Sequence, residues 1–545
     1  MLAVGVTAVA LVVTACGSSS VGSPPAASPA SPLVARAQPL SATTTAWWSY
    51  TRPPTFGSTT TAVTVAMRDG TPLDCSLVRP ATGGAAAGGR FPGLVVEFTP
   101  YDGLRTTYIQ EAAYFAARGY DGLVCNLRGT GKSGGTWEHA MSPQDGLDAS
   151  DLVEWLAAQP FSDGRIGMYG ESYGGFTTYR AAIDQAPHLL AVAPLQSTAS
   201  LYDDVIYPGG IKTTEGGSVD NWPGLVQPLS GGRVDAAAEY AANRAHPTFD
   251  SYWQERSFAG QYGSIKVPVL AMGGWVDQYF RSGALANIEG ARSRTWAIYG
   301  QWPHQSPIAF PNCPGLCNPQ GLAPGVLLAW FDHWVKQLPG TPIPAKPTFV
   351  SYEGPNSGAA GWREITTVDP AHAAKSALTL NADGSLGATA GTSTAGNVVF
   401  HQPADPTKPG GSVTFQTAPL AKAMSMFGHP TLTLRASLSG PDANLYAELL
   451  DVAPDGTSTL VNDGFLRASH RTSNVTPTPV PVGKLTTFTI AIRADDWRFA
   501  AGHRIAVRLS GGAASMLTSN TTPVDVTVAT GAGGSILDLP DLTGP

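Results

Sequence analysis

Ser172 sits in the run Gly170-Glu171-Ser172-Tyr173-Gly174-Gly175, after a strand-like stretch, Arg165 to Tyr169, and before a helix-like one, Phe176 to Ala186. The spacing is G-x-S-x-G in a strand–turn–helix setting, where small residues allow a strained turn that lifts the serine oxygen above a sheet. A serine hydroxyl is a weak nucleophile until a base takes its proton, so an acid and then a histidine are expected downstream. Asp277 supplies the acid in Gly273-Gly274-Trp275-Val276-Asp277, and His304 the base in Gly300-Gln301-Trp302-Pro303-His304. Each follows an apolar run that reads as a parallel strand, and strand ends are where such sheets collect reactive groups. Of the ten histidines, His304 alone has this placement: His188 precedes any plausible acid, and His333 lies in a structural amphipathic helix. The chemistry implied is acyl transfer to serine, which calls for no metal or organic cofactor.

The elements that must hold these groups alternate. From about residue 60 to 340, strand candidates Leu94–Phe98, Leu123–Asn126, Ile166–Tyr169, Leu190–Ala193, Val267–Met272 and Thr295–Tyr299 are interleaved with stretches of helical period, such as Ile109–Arg118 and Asp148–Ala158. That is the pattern of an α/β fold with a mainly parallel sheet. The alternation breaks over residues 200–262, which reads as an insertion over the sheet's end. After Pro342-Ile343-Pro344 the period becomes two, as in Thr431-Leu432-Thr433-Leu434, and predicts an all-β sandwich. Gly129-Thr130-Gly131-Lys132-Ser133-Gly134 satisfies a bare G-x-G-x-x-G, but it lacks the spacing and following helix of a phosphate loop and reads as a sharp turn.

Composition narrows the classes. The 545 residues carry 33 Lys or Arg and 40 Asp or Glu, 13% charged against roughly 25% in soluble domains. With 43% hydrophobic residues the chain can bury large cores, so disorder as the main state is excluded. A net charge of −7 without a long basic run offers phosphates no field, so nucleic acid is not expected as a partner.

At the N-terminus, the apolar run Leu2 to Val13 ends in Val13-Thr14-Ala15-Cys16, similar to the lipobox of bacterial lipoproteins, with Cys16 the lipidation site. No Lys or Arg precedes Arg36, a departure that fits a start truncated at its front. Residues 1–16 are thus expected to be a signal and 17–45 a Ser/Pro/Ala tether, making the protein an exported, secreted or envelope-anchored one, with the membrane its partner if Cys16 is modified. Cys75, Cys125, Cys313 and Cys317 remain. Cys313 and Cys317 share a Pro/Gly-rich loop that could close a small disulfide, a metal site being the other reading.

Further motifs carry a family likeness: Met67-Arg68-Asp69-Gly70, Thr99-Pro100-Tyr101, Arg128 to Gly135, Glu154-Trp155-Leu156, Asp163 to Met168 and Gly170 to Gly175, with Asp496-Trp497-Arg498-Phe499 and Gly502 to Ile505 more weakly. Together they resemble the cocaine-esterase and X-Pro dipeptidyl-peptidase superfamily of serine hydrolases. The resemblance implies an α/β-hydrolase domain (46–200 and 263–342), an inserted helical cap (201–262) and a C-terminal jelly-roll β-sandwich (345–545). It makes Ser172 the nucleophile, His304 the base and Asp277 its orienting acid. The oxyanion would be held by the Tyr173 N–H and the Tyr101 phenol. In that fold the strands of Cys75 and Cys125 are neighbours, so the two are either bridged or buried thiols.

The superfamily acts on acyl esters, on X-Pro peptides and on α-amino acid esters. Substrates with a free amine need a carboxylate to receive it, and the amino-ester hydrolases carry an acid where this chain has Gly174. Asp203, Asp204, Glu215 and Asp220 in the cap are alternative acids. The expectation is therefore a small-molecule serine esterase for neutral acyl esters, with Trp222, Trp275 and Trp302 lining its pocket. An X-Pro dipeptidyl-peptidase acting on short peptides is the nearest alternative, and a surface-anchored binding protein with an inert hydrolase domain is another.

Overall fold

The computed structural model describes residues 35–212, 222–311, 317–355, 361–367, 375–388 and 395–540, the last without 406, 407, 409, 512–517, 519 and 521. Cys16, Cys313, Glu215 and Asp220 lie outside the described residues, as do the side chains of Cys317 and Trp222.

A twelve-stranded sheet organises the first part of the chain. Its centre is seven parallel strands in the order Phe349–Tyr352, Thr295–Gly300, Val269–Gly274, Leu189–Leu195, Ser162–Glu171, Phe91–Val96 and Asp121–Cys125. These are short, almost continuous apolar runs, as strands covered on both faces require. Leu94, Val95, Ile166, Met168, Val192 and Leu270 are all fully buried. The helices Arg105–Ala116, Pro143–Ala157, Tyr173–Ile183, Arg281–Gly290 and Gly325–Trp334 supply the cover. Pro143–Ala157 begins with a capping box, Ser142 and Asp145 each serving the other's backbone N–H.

Antiparallel strands finish both edges: Pro72–Thr82 and Gly57–Ala66 on one, Trp362–Thr367 and Ala35–Pro39 on the other. Two boundaries therefore move from their expected places. The tether expected over 17–45 is structured from Ala35, which pairs with Thr367, and the helix Ala42–Trp48 follows with Ser41 as its N-cap. Likewise, Phe349–Tyr352 and Trp362–Thr367 belong to the hydrolase sheet and not to the sandwich. Strand-like composition after Pro344 does not say which sheet a strand joins, because that is set by long-range pairing.

Among the described residues the all-β part starts at Lys375–Leu380, with antiparallel sheets of seven and four strands and the pair Met424–Gly428 and Asp495–Phe499, around a core of its own. Thr431–Leu438 shows the logic: its residues alternate between half-buried and buried along the whole strand, one face on the core and one toward solvent. The described residues of 201–262 form the helices Tyr202–Ile206, Trp222–Leu229, Ala236–Ala245 and Ser251–Gln254, and Leu201, Val205 and Leu229 lie at the sheet's carboxyl end with Ser172. The Gly129–Gly134 segment is a turn, closed by the Gly129 N–H on the Gly134 carbonyl at 2.8 Å.

Candidate active site

Ser172 stands between the strand Ser162–Glu171 and the helix Tyr173–Ile183 with φ 59° and ψ −114°, a strained conformation for a residue with a side chain. The strain is enforced by crowding. A Cβ on Gly170 would lie 2.6 Å from the backbone of Gly174, and one on Gly174 would lie 2.4 Å from the Glu97 carboxylate. The backbone therefore leaves no room for a side chain at Gly170, and one at Gly174 would have to displace the Glu97 carboxylate.

His304 Nε2 lies 3.0 Å from Ser172 Oγ, and His304 Nδ1 lies 2.9 Å from Asp277 Oδ2. Asp277 is buried, and its other oxygen accepts the N–H groups of Tyr279 at 2.8 Å and Phe280 at 3.1 Å. Those two residues also pack their rings edge-on against the imidazole, each 5.0 Å away, so one short loop fixes both acid and base. The loop carrying His304 is held from below, where Gln196 Nε2 donates to the Pro303 carbonyl at 2.7 Å. Burial pulls the His304 pKa down, but the charge and hydrogen bond of Asp277 and the nearby Glu171 outweigh it, so the net shift is upward.

Tyr101 and Tyr173 meet edge-on across the site, ring centres 6.4 Å apart. The Tyr173 hydroxyl accepts the Met141 N–H at 2.6 Å and donates to Asp145 at 2.7 Å, which turns that side chain away from the serine. Its backbone N–H remains at the first turn of the helix, the end where N–H groups and positive potential gather. Tyr101 shares with Ser172 and His304 the lining of a cavity of about 520 Å³. The loop that carries it is tied to the neighbouring strand's end: Thr99 bridges to Asn126, and Asn126 Nδ2 donates to Asp102 at 2.6 Å.

Of the expected pocket tryptophans, Trp275 and Trp302 are not in the lining. Trp275 is fully buried, donates to Ser351 Oγ at 3.1 Å and packs on Tyr299 and Phe427. Trp302 is buried as well, with its indole N–H on the Gln320 carbonyl at 3.3 Å. Both follow strand ends, where an indole can fill core space and still satisfy its N–H. Trp222 opens the helix Trp222–Leu229, and its side chain is not described. Leu201, Val205, Leu229, Tyr279 and Phe280 line the cavity in their place. The described cap acids, Asp203 and Asp204, are engaged elsewhere, Asp203 with Ser200 and Asn474 and Asp204 with Thr198.

Three lining residues had no place in the sequence reading: Glu97, Glu111 and Glu171. The signal was present, since Glu97 interrupts the apolar run Leu94 to Phe98 and Glu171 is the variable residue of the elbow itself.

Two stretches of the chain match known families. Residues 69–306 match the family described as X-Pro dipeptidyl-peptidase (S15 family), and residues 335–533 match the X-Pro dipeptidyl-peptidase C-terminal non-catalytic domain. The chain belongs to the cocaine-esterase and X-Pro dipeptidyl-peptidase superfamily of serine hydrolases. It is similar to the cocaine esterase of Rhodococcus sp. (strain MB1 Bresler), 27% identical over 533 residues, covering 82% of this chain and 90% of that protein. Among solved structures, its fold is shared by a CocE/NonD family hydrolase from Staphylococcus aureus, with a TM-score of 0.72, 20% identity and coverage of 88% of this chain and 93% of that one. An aminopeptidase from the marine sediment archaeon Thaumarchaeota archaeon also has a TM-score of 0.72, at 20% identity, with 90% of this chain and 98% of that one covered. Superfamily membership thus leaves open which acyl bond is cut.

Proposed function

We propose that this protein is a serine acyl esterase using Ser172, His304 and Asp277 as a catalytic triad. The observation that carries the reading is the continuous chain of contacts from Asp277 Oδ2 through His304 to Ser172 Oγ, at 2.9 and 3.0 Å. In this reading the Ser172 oxygen attacks the ester carbonyl carbon as His304 Nε2 takes its proton. The tetrahedral oxyanion is met by the Tyr173 N–H and the Tyr101 phenol. His304 then gives the proton to the departing alkoxide as the acyl C–O bond breaks, and water repeats the sequence to release the acid. Leu201, Val205, Leu229 and Phe280 present an apolar wall to a neutral acyl group.

The test compares a p-nitrophenyl short-chain ester with an Ala-Pro anilide on one preparation, with Ser172→Ala as control. Rapid ester cleavage, lost in Ser172→Ala, with no anilide turnover is expected. Anilide cleavage of comparable efficiency would make the protein a dipeptidyl-peptidase, the reading that the S15 match favours. A folded protein that a fluorophosphonate leaves unlabelled at Ser172 would instead point to an inert binding protein.

The protein is further proposed to be exported and anchored through Cys16. The disulfide between Cys75 and Cys125 supports an oxidising compartment. Loss of membrane association on Cys16→Ser is the expected result, and unchanged association would count against the anchor.

A further inference from the structure

The paired strands Met424–Gly428 and Asp495–Phe499 join the two cores: Met426, Trp497 and Phe499 belong to that of the sandwich, Phe427 to that of the hydrolase sheet. Asp495 and Asp496 open the second strand, and both are fully buried. A buried carboxylate is costly unless donors meet it, so the source of its donors shows what it holds together. Asp496 Oδ2 accepts the Ser351 hydroxyl at 2.5 Å, and Oδ1 accepts the Arg363 guanidinium. Both donors stand on the hydrolase sheet, in Phe349–Tyr352 and Trp362–Thr367. Arg363 is anchored in turn to Glu353 at 2.9 Å, and Glu353 also takes the hydroxyl of Ser425.

Two lines run from this point to the triad. Ser351 Oγ gives its one proton to Asp496, which leaves a lone pair for the indole N–H of Trp275 at 3.1 Å, and Trp275 is two residues before Asp277. Phe427 packs edge-on against the same indole, ring centres 5.9 Å apart. Gln301, three residues before His304, donates through Nε2 to Asp495 Oδ1 at 3.3 Å and to the Asp496 carbonyl at 3.4 Å. The Trp275 backbone N–H meets the Gly300 carbonyl at 2.8 Å, so the loop of the acid and the loop of the base are also tied to each other. We propose that Asp496, within the stretch that matches a domain described as non-catalytic, is a positioning residue for the triad. Through Ser351 and Trp275 it sets the loop of Asp277, and with Asp495 it sets the loop of His304. This rests on the esterase reading, in which those two residues act on Ser172.

Asp496→Asn and Ser351→Ala each break the line to Trp275 with little change in volume. In the full-length protein, kcat for p-nitrophenyl acetate is expected to fall about ten-fold in each, with KM within about two-fold, because small displacements of reacting groups act on the chemical step. The double variant should lose no more than about two-fold beyond either single one, since both cut the same line. Ser425→Ala loosens the same interface on the branch that ends at Glu353, and its kcat should stay within about two-fold of the parent even where its urea midpoint falls. Proton NMR reads the positioning without substrate. The downfield signal of the His304 Nδ1 proton, identified by its loss in His304→Gln, should shift or broaden in Asp496→Asn and Ser351→Ala and stay in place in Ser425→Ala. An unchanged kcat or an unchanged signal in whichever of the two variants folds, or an equal change in Ser425→Ala, overturns the proposal. Absence of Ser172-dependent ester turnover in the parent would sink the esterase reading alone, because the proton signal is read without turnover.

Discussion

The two sides of Ser172 are built on different electrostatic terms. On one, Asp277 is a buried carboxylate with every oxygen engaged: two backbone N–H groups on Oδ1 and the imidazole on Oδ2. On the other, Glu97 is a buried carboxylate with one N–H on Oε1, nothing on Oε2 and two further carboxylates as neighbours. Burial is the same, and the donors differ. A carboxylate surrounded by its own donors is part of a finished device, whereas one buried among other acids is pushed toward its protonated form.

The largest break in the comparison is Asp277→Asn, which keeps the shape but leaves His304 without a charge to orient and stabilise its protonated form. Ester kcat is expected to fall about 10⁴-fold with KM little changed. A loss of ten-fold or less would mean that Asp277 is not the triad acid. Next is Tyr101→Phe, which removes a hydroxyl and leaves the ring. Loss of one oxyanion donor costs about 10²–10³ in kcat, so single-turnover acylation should slow by that factor while fluorophosphonate still labels Ser172. Unaltered acylation would remove the Tyr101 phenol from the oxyanion hole.

The finished side was legible in the sequence and the acidic side was not, for a physical reason. Ser172, Asp277 and His304 each follow a parallel strand within a few residues, so local periodicity places them at one sheet end without any knowledge of contacts. Glu97 also ends a strand, yet its upward pKa shift comes from burial and from Glu111 on a helix and Glu171 on the elbow lying beside it, which no local pattern records. The same limit explains the edges of the sheet. Ala35–Pro39 reads as tether because its Ser/Pro/Ala-rich surroundings offer little apolar surface to bury, and its order comes from pairing with residues more than three hundred positions away. Trp275 and Trp302 failed differently: an aromatic after a strand suits a pocket or a core equally, and Ser351 and the Gln320 carbonyl, supplied by distant segments, decide for the core.

A smaller effect links the two sides through His304. The base must be neutral to accept the serine proton, so kcat/KM rises with pH as the imidazolium is lost. Asp277 and Glu171 stabilise that imidazolium against the opposing pull of burial, which places the acidic limb above the ordinary histidine value of about 6.5. Glu171→Gln removes one of the two negative neighbours, so the limb should move to lower pH, with Asp277 still holding the ring. A limb that stays in place would show that Glu171 does not reach His304 electrostatically.

The smallest expected effect on turnover concerns how the oxyanion side is fastened. Cys75 and Cys125 lie directly opposite one another on antiparallel strands, Cα atoms 4.1 Å apart, and are joined by a disulfide spanning 50 residues. Asn126, the next residue, ties down the Tyr101 loop through Asp102. A bridge of this span acts chiefly on the unfolded chain, so Cys75→Ala with Cys125→Ala should lower the unfolding free energy by about 2–4 kcal/mol, read from the urea midpoint. Ester kcat at 25 °C should change by no more than about three-fold, since hydrogen bonds already hold the loop. A kcat loss approaching that of Tyr101→Phe would mean that the covalent staple itself positions the phenol, and the two sides of Ser172 would then differ in mechanical support as well as in charge.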